Sequence, residues 1–469
     1  MLAWRAPQEL VNKQIISRIL LVGLALSVWL PRPALLVAQV PAKGNPPVAP
    51  VSTARVPPTQ TTVTEQSPGT TAESQIIHGL QGVLVETLDG KTVAVQSAEE
   101  NFNPASAIKL ATALVALKTF GPHHRFTTGI WITGTLDKAT GTLSGNLYLS
   151  GRDPSFHYEH GVMIARQLNT LGIRTVTGNL VVAPGFTMNF NWSARRSGEQ
   201  LYDTLDSTLR SGEASRAWLY ERTALGDQAS LQTIPSVAVM GEVEVNPVAA
   251  DAKLVLSEKS SKLVDILKVL LCYSNNFMAE RLGDSVGGIQ SVRRQLMNSL
   301  GLSSSEFTIS SLSGLGVNRV SPRTMMKIFR ALREELRKNK LSTTDIMPVA
   351  GIDPGTLQDR FTGPAWRGSV IAKTGTLIRT DGGASSLVGQ MKTAGGETLL
   401  FVIMNRQGSV LRFRLNQDYL VMQIQNSRGG PKAFDYKPHL LAMKLADTQS
   451  LPSAGDEYEP ALKGQVTSP

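Results

Sequence analysis

Asn103-Pro104-Ala105-Ser106-Ala107-Ile108-Lys109 reads as the start of a buried helix. Asn103 suits the N-cap and Pro104 the first helical position. From Ala105 to Phe120 the chain is rich in Ala and Leu and nearly free of charge, and Gly121-Pro122 stops it. Ser106 and Lys109 then share one helical face within the first turn. First-turn amides have no partner inside a helix, so the Ser106 amide is open to an anion. A lysine beside a buried helix loses its proton more readily than one in water. One reading is therefore a serine nucleophile with a lysine base. The plain alternative is an ordinary buried helix, because S-x-x-K is common by chance.

The chain around this stretch has 469 residues, room for two or three domains, and 42% of them are hydrophobic, enough for a large core. Lys and Arg number 47 against 37 Asp and Glu, a net charge of +10, which suits an anionic surface such as a membrane or a wall polymer. No zinc-finger, RNA-binding or helix-turn-helix pattern accompanies that charge, so nucleic acid is not the expected partner. The single cysteine, Cys272, excludes an intramolecular disulfide and sits in an apolar run, as a core residue would. His123-His124 and His157-Tyr158-Glu159-His160 match no metal-ligand spacing and read as solvated loop.

Residues 1–38 combine Arg5, Lys13 and Arg18 with a short apolar run, as in a secretory signal or an uncleaved anchor. Residues 39–73 are rich in Pro and Thr and read as a disordered tether. Val83–Thr87 and Lys91–Gln96 flank the turn Leu88-Asp89-Gly90. Strands dominate from His124 to Val182, with a helical interruption at Met163–Leu171. Residues 187–235 are polar and hard to read, and Val237–Val248 and Lys253–Ser257 are further strands. Helices follow at Lys262–Leu271, Phe277–Leu282, Ile289–Leu300 and from Ser321 to Arg337. Gly368–Thr376, Ser385–Lys392 and Thr398–Met404 are strands, and Leu411–Gln425 is a helix. Two early and three late strands predict one antiparallel five-stranded sheet covered by helices, an α+β architecture. The catalytic part is then 74–121 with 259–430, 122–258 is an inserted β-rich region, and 447–469 is a disordered tail.

Three short motifs occur in order: Ser106-Ala107-Ile108-Lys109 at a helix start, Ser274-Asn275-Asn276 after a helix, and Lys373-Thr374-Gly375 in a strand. S-x-x-K, S-D-N and K-T-G together mark β-lactamases and penicillin-binding proteins. Lys392-Thr393-Ala394 lacks the glycine, which is expected where a substrate backbone lies close against a strand. The chain resembles the class C low-molecular-mass penicillin-binding proteins, the D-alanyl-D-alanine carboxypeptidase/endopeptidases of bacterial cell walls, over about residues 75–430. The resemblance rests on the three motifs and on Phe277-Met278-Ala279-Glu280, Arg319-Val320-Ser321-Pro322-Arg323, Met347-Pro348-Val349-Ala350-Gly351, Thr376-Leu377 and Gly151-Arg152-Asp153-Pro154-Ser155. The long interval between Ser106 and Ser274 separates it from class A β-lactamases, which leave no room there for another domain.

The resemblance implies a penicillin-binding/β-lactamase-like transpeptidase fold and an acyl-enzyme on Ser106. Lys109 would be the base, Ser274 a proton relay and Asn276 an orienting group. Lys373, Thr374, Gly375 and Thr376 would bind the substrate end. It implies no metal or cofactor, peptidoglycan stem peptides ending in D-Ala-D-Ala as substrate, β-lactams as covalent inhibitors, and export to the periplasm or envelope. Peripheral membrane association is a further expectation. The family usually carries Asp-Gly-Ser-Gly-Leu where this chain has Ser311-Leu312-Ser313-Gly314-Leu315, and Ile378–Gly383 is longer than usual. Two alternatives stay open: a β-lactamase or esterase on the same fold, and a non-enzymatic envelope protein that binds wall peptides. A Ser-His-Asp hydrolase is not expected, since no G-x-S-x-G occurs.

Overall fold

The computed structural model describes residues 78–225, 233–445 and 447–452. The expected signal and tether, and the tail beyond 452, lie outside them. In chain order the first elements are β1 (Leu80–Thr87), β2 (Thr92–Gln96), a 3₁₀ turn at Ala105–Ile108 and α1 (Lys109–Phe120). The insertion holds β3 (Thr127–Ile132), β4 (Thr135–Asp137), β5 (Thr142–Ser144), β6 (Leu147–Gly151), α2 (Tyr158–Thr170), β7 (Thr175–Val176) and β8 (Leu180–Val182). It continues with α3 (Ala194–Leu205), α4 (Gly212–Leu225), β9 (Ala238–Val239), β10 (Val243–Val245) and β11 (Lys253–Lys259). Then come α5 (Leu263–Tyr273), α6 (Asn276–Ser285), α7 (Gly288–Leu300), β12 (Phe307–Thr308), β13 (Arg319–Val320) and α8 (Pro322–Lys338). The last are β14 (Val370–Leu377), β15 (Ala384–Lys392), β16 (Thr398–Arg406), α9 (Val410–Asn426), α10 (Leu441–Leu445) and β17 (Gln449–Pro452).

The expected sheet forms, in the order β14-β15-β16-β1-β2, with every pair antiparallel. Its central strands are apolar without interruption because helices cover both faces. On β16, Leu400, Val402 and Met404 face the core built by α1, α5, α6, α7 and α8. Leu399, Phe401 and Ile403 face the opposite core, which α9 closes with Val421. Helix α1 runs through the larger core with Leu110, Leu114 and Leu117 all buried. Burying each such leucine is worth about 1.5–3 kcal/mol, and truncating one to alanine costs about 2–5 kcal/mol.

The insertion is not purely β. Three helices, α2, α3 and α4, occur with its strands, and α2 and α3 pack on the sheet β10-β8-β6-β3-β11-β17. α3 is hard to read from sequence because its polar face dominates the count of residues, although Leu201 and Leu205 are fully buried. The tail also differs from expectation. Gln449–Pro452 is a strand that pairs antiparallel with β11, although Asp447 onward reads as disordered from composition. Lys444 with Asp265, and Arg125 with Asp447, fasten that segment on its way.

Candidate active site

The Asn103–Lys109 stretch is tighter than a regular helix start. Asn103 is not an N-cap. Its Oδ1 accepts the Ala105 amide at 3.1 Å, and Ala105 itself takes φ +46°, the left-handed region a β-carbon disfavours. A 3₁₀ turn then carries Ser106, and α1 begins at Lys109. The Ser386 hydroxyl donates to the Pro104 carbonyl at 2.6 Å and ties this turn to β15. Ser106 is therefore half-exposed on a fixed corner, while Lys109 is fully buried beneath it.

Lys109 Nζ lies 2.9 Å from Ser106 Oγ, 2.7 Å from Asn276 Oδ1 and 2.5 Å from the Ser313 carbonyl. Burial pushes its ammonium down to about 7, with the Glu280 carboxylate pulling the other way. A neutral amine has two hydrogens and one lone pair. Asn276 and Ser313 offer only acceptors, so they take the hydrogens and the lone pair is left for the Ser106 hydroxyl. That is the arrangement a base requires.

Ser274 caps α5 with φ +56°, which turns its side chain out of the helix end toward β14. There Lys373 Nζ donates to Ser274 Oγ at 2.8 Å and to the Thr374 carbonyl at 2.7 Å. Lys373 is fully buried, and burial first, then the charge of Lys109, pushes its ammonium well below the usual lysine range. The neighbouring Asn275 caps α6 by accepting the Met278 amide at 3.0 Å, which starts the helix at Asn276. The three motifs thus meet at one place, and Lys392-Thr393-Ala394, which begins one residue past the Met391 that pairs with Val370, lies at the far end of β15. Cys272 is buried and its thiol is pushed up to about 12, so it is a core residue.

Sequence reasoning assigns no role to Glu280, Ser311 or Arg414. Glu280 sits one turn after Asn276 and accepts the Leu312 and Ser313 amides at 3.3 and 2.8 Å, so it holds the loop whose carbonyl meets Lys109. Its sequence signals are the spacing from Asn276 and its place in the Phe277–Glu280 stretch that carries the resemblance. Ser311 stands where the family carries Asp. Its hydroxyl accepts the Gly314 amide at 2.9 Å and donates to the Leu315 carbonyl at 2.8 Å, which keeps the loop closed without a carboxylate. Arg414 of α9 donates to Thr376 Oγ1 at 2.8 Å, and nothing local in the sequence announces that contact.

Gly375 is needed for a reason other than close approach of substrate. A β-carbon there would strike Ser386 Oγ and the Pro104 carbonyl, the two groups that fix the nucleophile turn. Gly375→Ala should therefore lower acylation by about 10²-fold through misplacement of Ser106. It should destabilise the fold by only about 1–3 kcal/mol. Stopped-flow acylation alongside urea unfolding checks this, and undiminished acylation would show that the turn can yield.

The histidines of 157–160 are not a solvated loop. His160 is fully buried on α2, with Asp153 Oδ2 3.5 Å and Glu258 Oε1 3.9 Å from its Nε2. The donor types and spacing resemble a cation site, all ligand atoms lying within 4.8 Å of one another. The tautomer does not fit. His160 Nδ1 accepts the His157 amide at 3.1 Å, so the proton sits on Nε2, the nitrogen facing both carboxyls. Protons neutralise the cluster instead. Burial raises Asp153 to about 6 against the hydrogen bonds from Ser155; burial and then the charge of Asp153 raise Glu258 well above the usual range against the pull of Arg125; and burial lowers His160 to about 3.

These shifts have a sign. A carboxyl whose folded pKa is raised contributes stability below its unfolded pKa and loses it as pH climbs through the folded value. His160 acts oppositely, gaining as pH rises toward 6.5, so the terms of this cluster compete in mild acid, while Lys109, held down to about 7, adds stability as pH climbs from 7 toward 10.5. The Glu258 contribution to stability should fall by up to about 1.4 kcal/mol per pH unit wherever the folded carboxyl keeps its proton and the unfolded one has lost it. Glu258→Gln should remove that contribution and make the slope of stability against pH more positive in urea titrations from about pH 5 upward. An unchanged slope would mean that Glu258 is ionised in the fold.

Residues 69–194 and 225–419, well over half of the chain, match the model of the D-Ala-D-Ala carboxypeptidase 3 (S13) family. A D-alanyl-D-alanine carboxypeptidase of Actinomadura sp. (strain R39) is 26% identical over 424 residues, 69% of this chain and 77% of that protein. A carboxypeptidase of Mycobacterium tuberculosis is 26% identical over 420 residues, 79% of this chain and 87% of that protein. Among solved structures, a predatory peptidoglycan endopeptidase from Bdellovibrio bacteriovorus superposes with a TM-score of 0.66 at 21% identity, covering 80% of this chain and 100% of that one. Penicillin-binding protein 4 from Haemophilus influenzae gives 0.54 at 20% identity, covering 73% and 96%. Two carboxypeptidase relatives, one of them a D-alanyl-D-alanine carboxypeptidase, and a fold in common with these peptidases accompany the family match, and the chain belongs to the S13 family of serine-type D-Ala-D-Ala carboxypeptidases.

Proposed function

We propose that this chain hydrolyses peptidoglycan stem peptides ending in D-Ala-D-Ala, as a carboxypeptidase, an endopeptidase or both, through an acyl-enzyme on Ser106. The observation that carries the reading is Lys109, a buried lysine whose hydrogens have two acceptors and whose lone pair is left to Ser106. In this mechanism Ser106 Oγ attacks the D-Ala carbonyl as Lys109 takes its proton. Ser274 passes a proton to the leaving amine, with Lys373 at its side. Asn276 holds Lys109 and the substrate amide. The amides of Ser106 and Thr376 stabilise the oxyanion, where loss of one donor typically costs about 3–4 kcal/mol. Thr374, Thr376 and Lys373 receive the substrate's terminal carboxylate, and Gly375 keeps that strand against the nucleophile turn. Water then releases the acyl group.

β-Lactams would acylate the same serine. Glu280 is the carboxylate that acts on Lys109, and its oxygens are engaged by the Leu312 and Ser313 amides. It is not free to activate water, which favours slow β-lactam release over a β-lactamase. Export to the periplasm or envelope follows from such a substrate, and the basic balance suits an anionic wall or membrane surface. Digestion of purified peptidoglycan, with separation of the muropeptides, tests the reading. Loss of terminal D-alanine means carboxypeptidase action and loss of cross-linked dimers means endopeptidase action. Unchanged muropeptides beside rapid nitrocefin turnover would replace the reading with a β-lactamase.

A further inference from the structure

We propose that Arg414, on α9, is a specificity-determining cation that receives the substrate's terminal carboxylate beside Thr376. This rests on the acyl-transfer reading above and adds a residue to its substrate end. Three observations carry it. The first is placement. Arg414 Nη2 donates to Thr376 Oγ1 at 2.8 Å, so that oxygen is used as an acceptor and its own hydrogen is left to point at an incoming anion. The helix beneath is fixed in register over the sheet, because Gln417 donates to Ser385 Oγ at 3.1 Å and to Asn405 Oδ1 at 3.0 Å.

The second observation is charge. Asp418, one turn further along α9, is committed to Arg360, which donates to it from Nε at 2.9 Å and from Nη2 at 2.5 Å. Two guanidiniums therefore share one carboxylate, and burial first, then the positive charge of Arg360, pushes the Arg414 guanidinium below its usual range, with Asp418 pulling the other way. An arriving carboxylate would supply the missing negative charge. The third is exposure. Lys373, the other cation of this strand, is fully buried with its ammonium turned to Ser274 and the Thr374 carbonyl. Arg414 is exposed, and its planar fork suits a bidentate carboxylate contact. Lys373 then serves the proton relay as well as the carboxylate from below, while Arg414 meets the carboxylate at the rim.

The test compares an acetylated peptide ending in D-Ala-D-Ala with the same peptide as its C-terminal amide. Binding is measured by titration calorimetry on Ser106→Ala protein, which needs no chemistry at any serine. Arg414→Gln in that background should weaken the acid about tenfold more than the amide, and Arg414→Lys should restore part of the difference. Equal weakening of acid and amide, or no change in either, would overturn the proposal, since a mere prop for Thr376 cannot tell the two ligands apart. Fluorescent penicillin labelling of the Ser106-containing protein reads the acyl-enzyme separately, so failure of one reading is distinct from failure of the other.

Discussion

Replacing Ser106 with alanine should abolish covalent labelling by fluorescent penicillin and cut peptidase activity by about 10⁴-fold or more. Two serines in this site touch a buried lysine: Ser106 at 2.9 Å from Lys109 and Ser274 at 2.8 Å from Lys373. Distance does not separate them. What does is the remainder of each lysine's surroundings and the position of each serine. Ser106 stands on a strained turn that Ala105 and Ser386 hold rigid, over a lysine whose lone pair has no other neighbour. Removing its hydroxyl costs Lys109 one hydrogen bond and leaves two, a stability change of about 1 kcal/mol. The mutant should therefore keep its fold, read by circular dichroism. A label that survives in Ser106→Ala and maps to Ser274 by mass spectrometry would reverse the two roles.

Lys109→Ala should lower the acylation rate by about 10²- to 10⁴-fold, the usual worth of a positioned base. Its pH profile is the sharper readout. Burial holds Lys109 near 7, and the neutral amine is the active form, so wild-type acylation should climb as pH rises through about 7 and level off above it. The mutant should lose that limb. Lys109→Arg should be as slow as the alanine variant, because a guanidinium stays protonated throughout. An ascending limb near 7 that persists in Lys109→Ala would move the base to another group, Lys373 being the nearest candidate. The same burial makes Lys109 a cost to the fold. Unfolded, it binds a proton up to its ordinary pKa of 10.5, so its folded-state shift disfavours folding at neutral pH.

The reactive core is legible in the sequence because each motif is a local arrangement on one element. Ser106 and Lys109 are three residues apart, and Ser274-Asn275-Asn276 is a helix end followed by a helix start. The five strands are legible because runs such as Leu399–Met404 are apolar on both faces. What escapes is set by contacts distant in sequence. Ala105 takes a left-handed conformation in a turn held by Ser386 and by the Asn103 side chain, and no propensity foretells that. His160 lies in a polar tetrapeptide that reads as surface, yet α2 turns it against Glu258 from the far end of the insertion. Arg414 meets Thr376 only because α9 folds back across the sheet.

The pairing of β17 with β11 also sets an order of events during synthesis. Strand β11 leaves the ribosome long before β17, with the whole second half of the catalytic part made in between. Through that interval β11 has β3 on one side and an open row of amides and carbonyls on the other, the kind of rim on which a second nascent chain can add a strand. The tail closes that rim last. The insertion therefore completes its sheet only after translation of the catalytic part is finished. Until then its quality control rests with whatever shields the β11 rim, so a stall or a frameshift late in the message would endanger a region encoded far upstream.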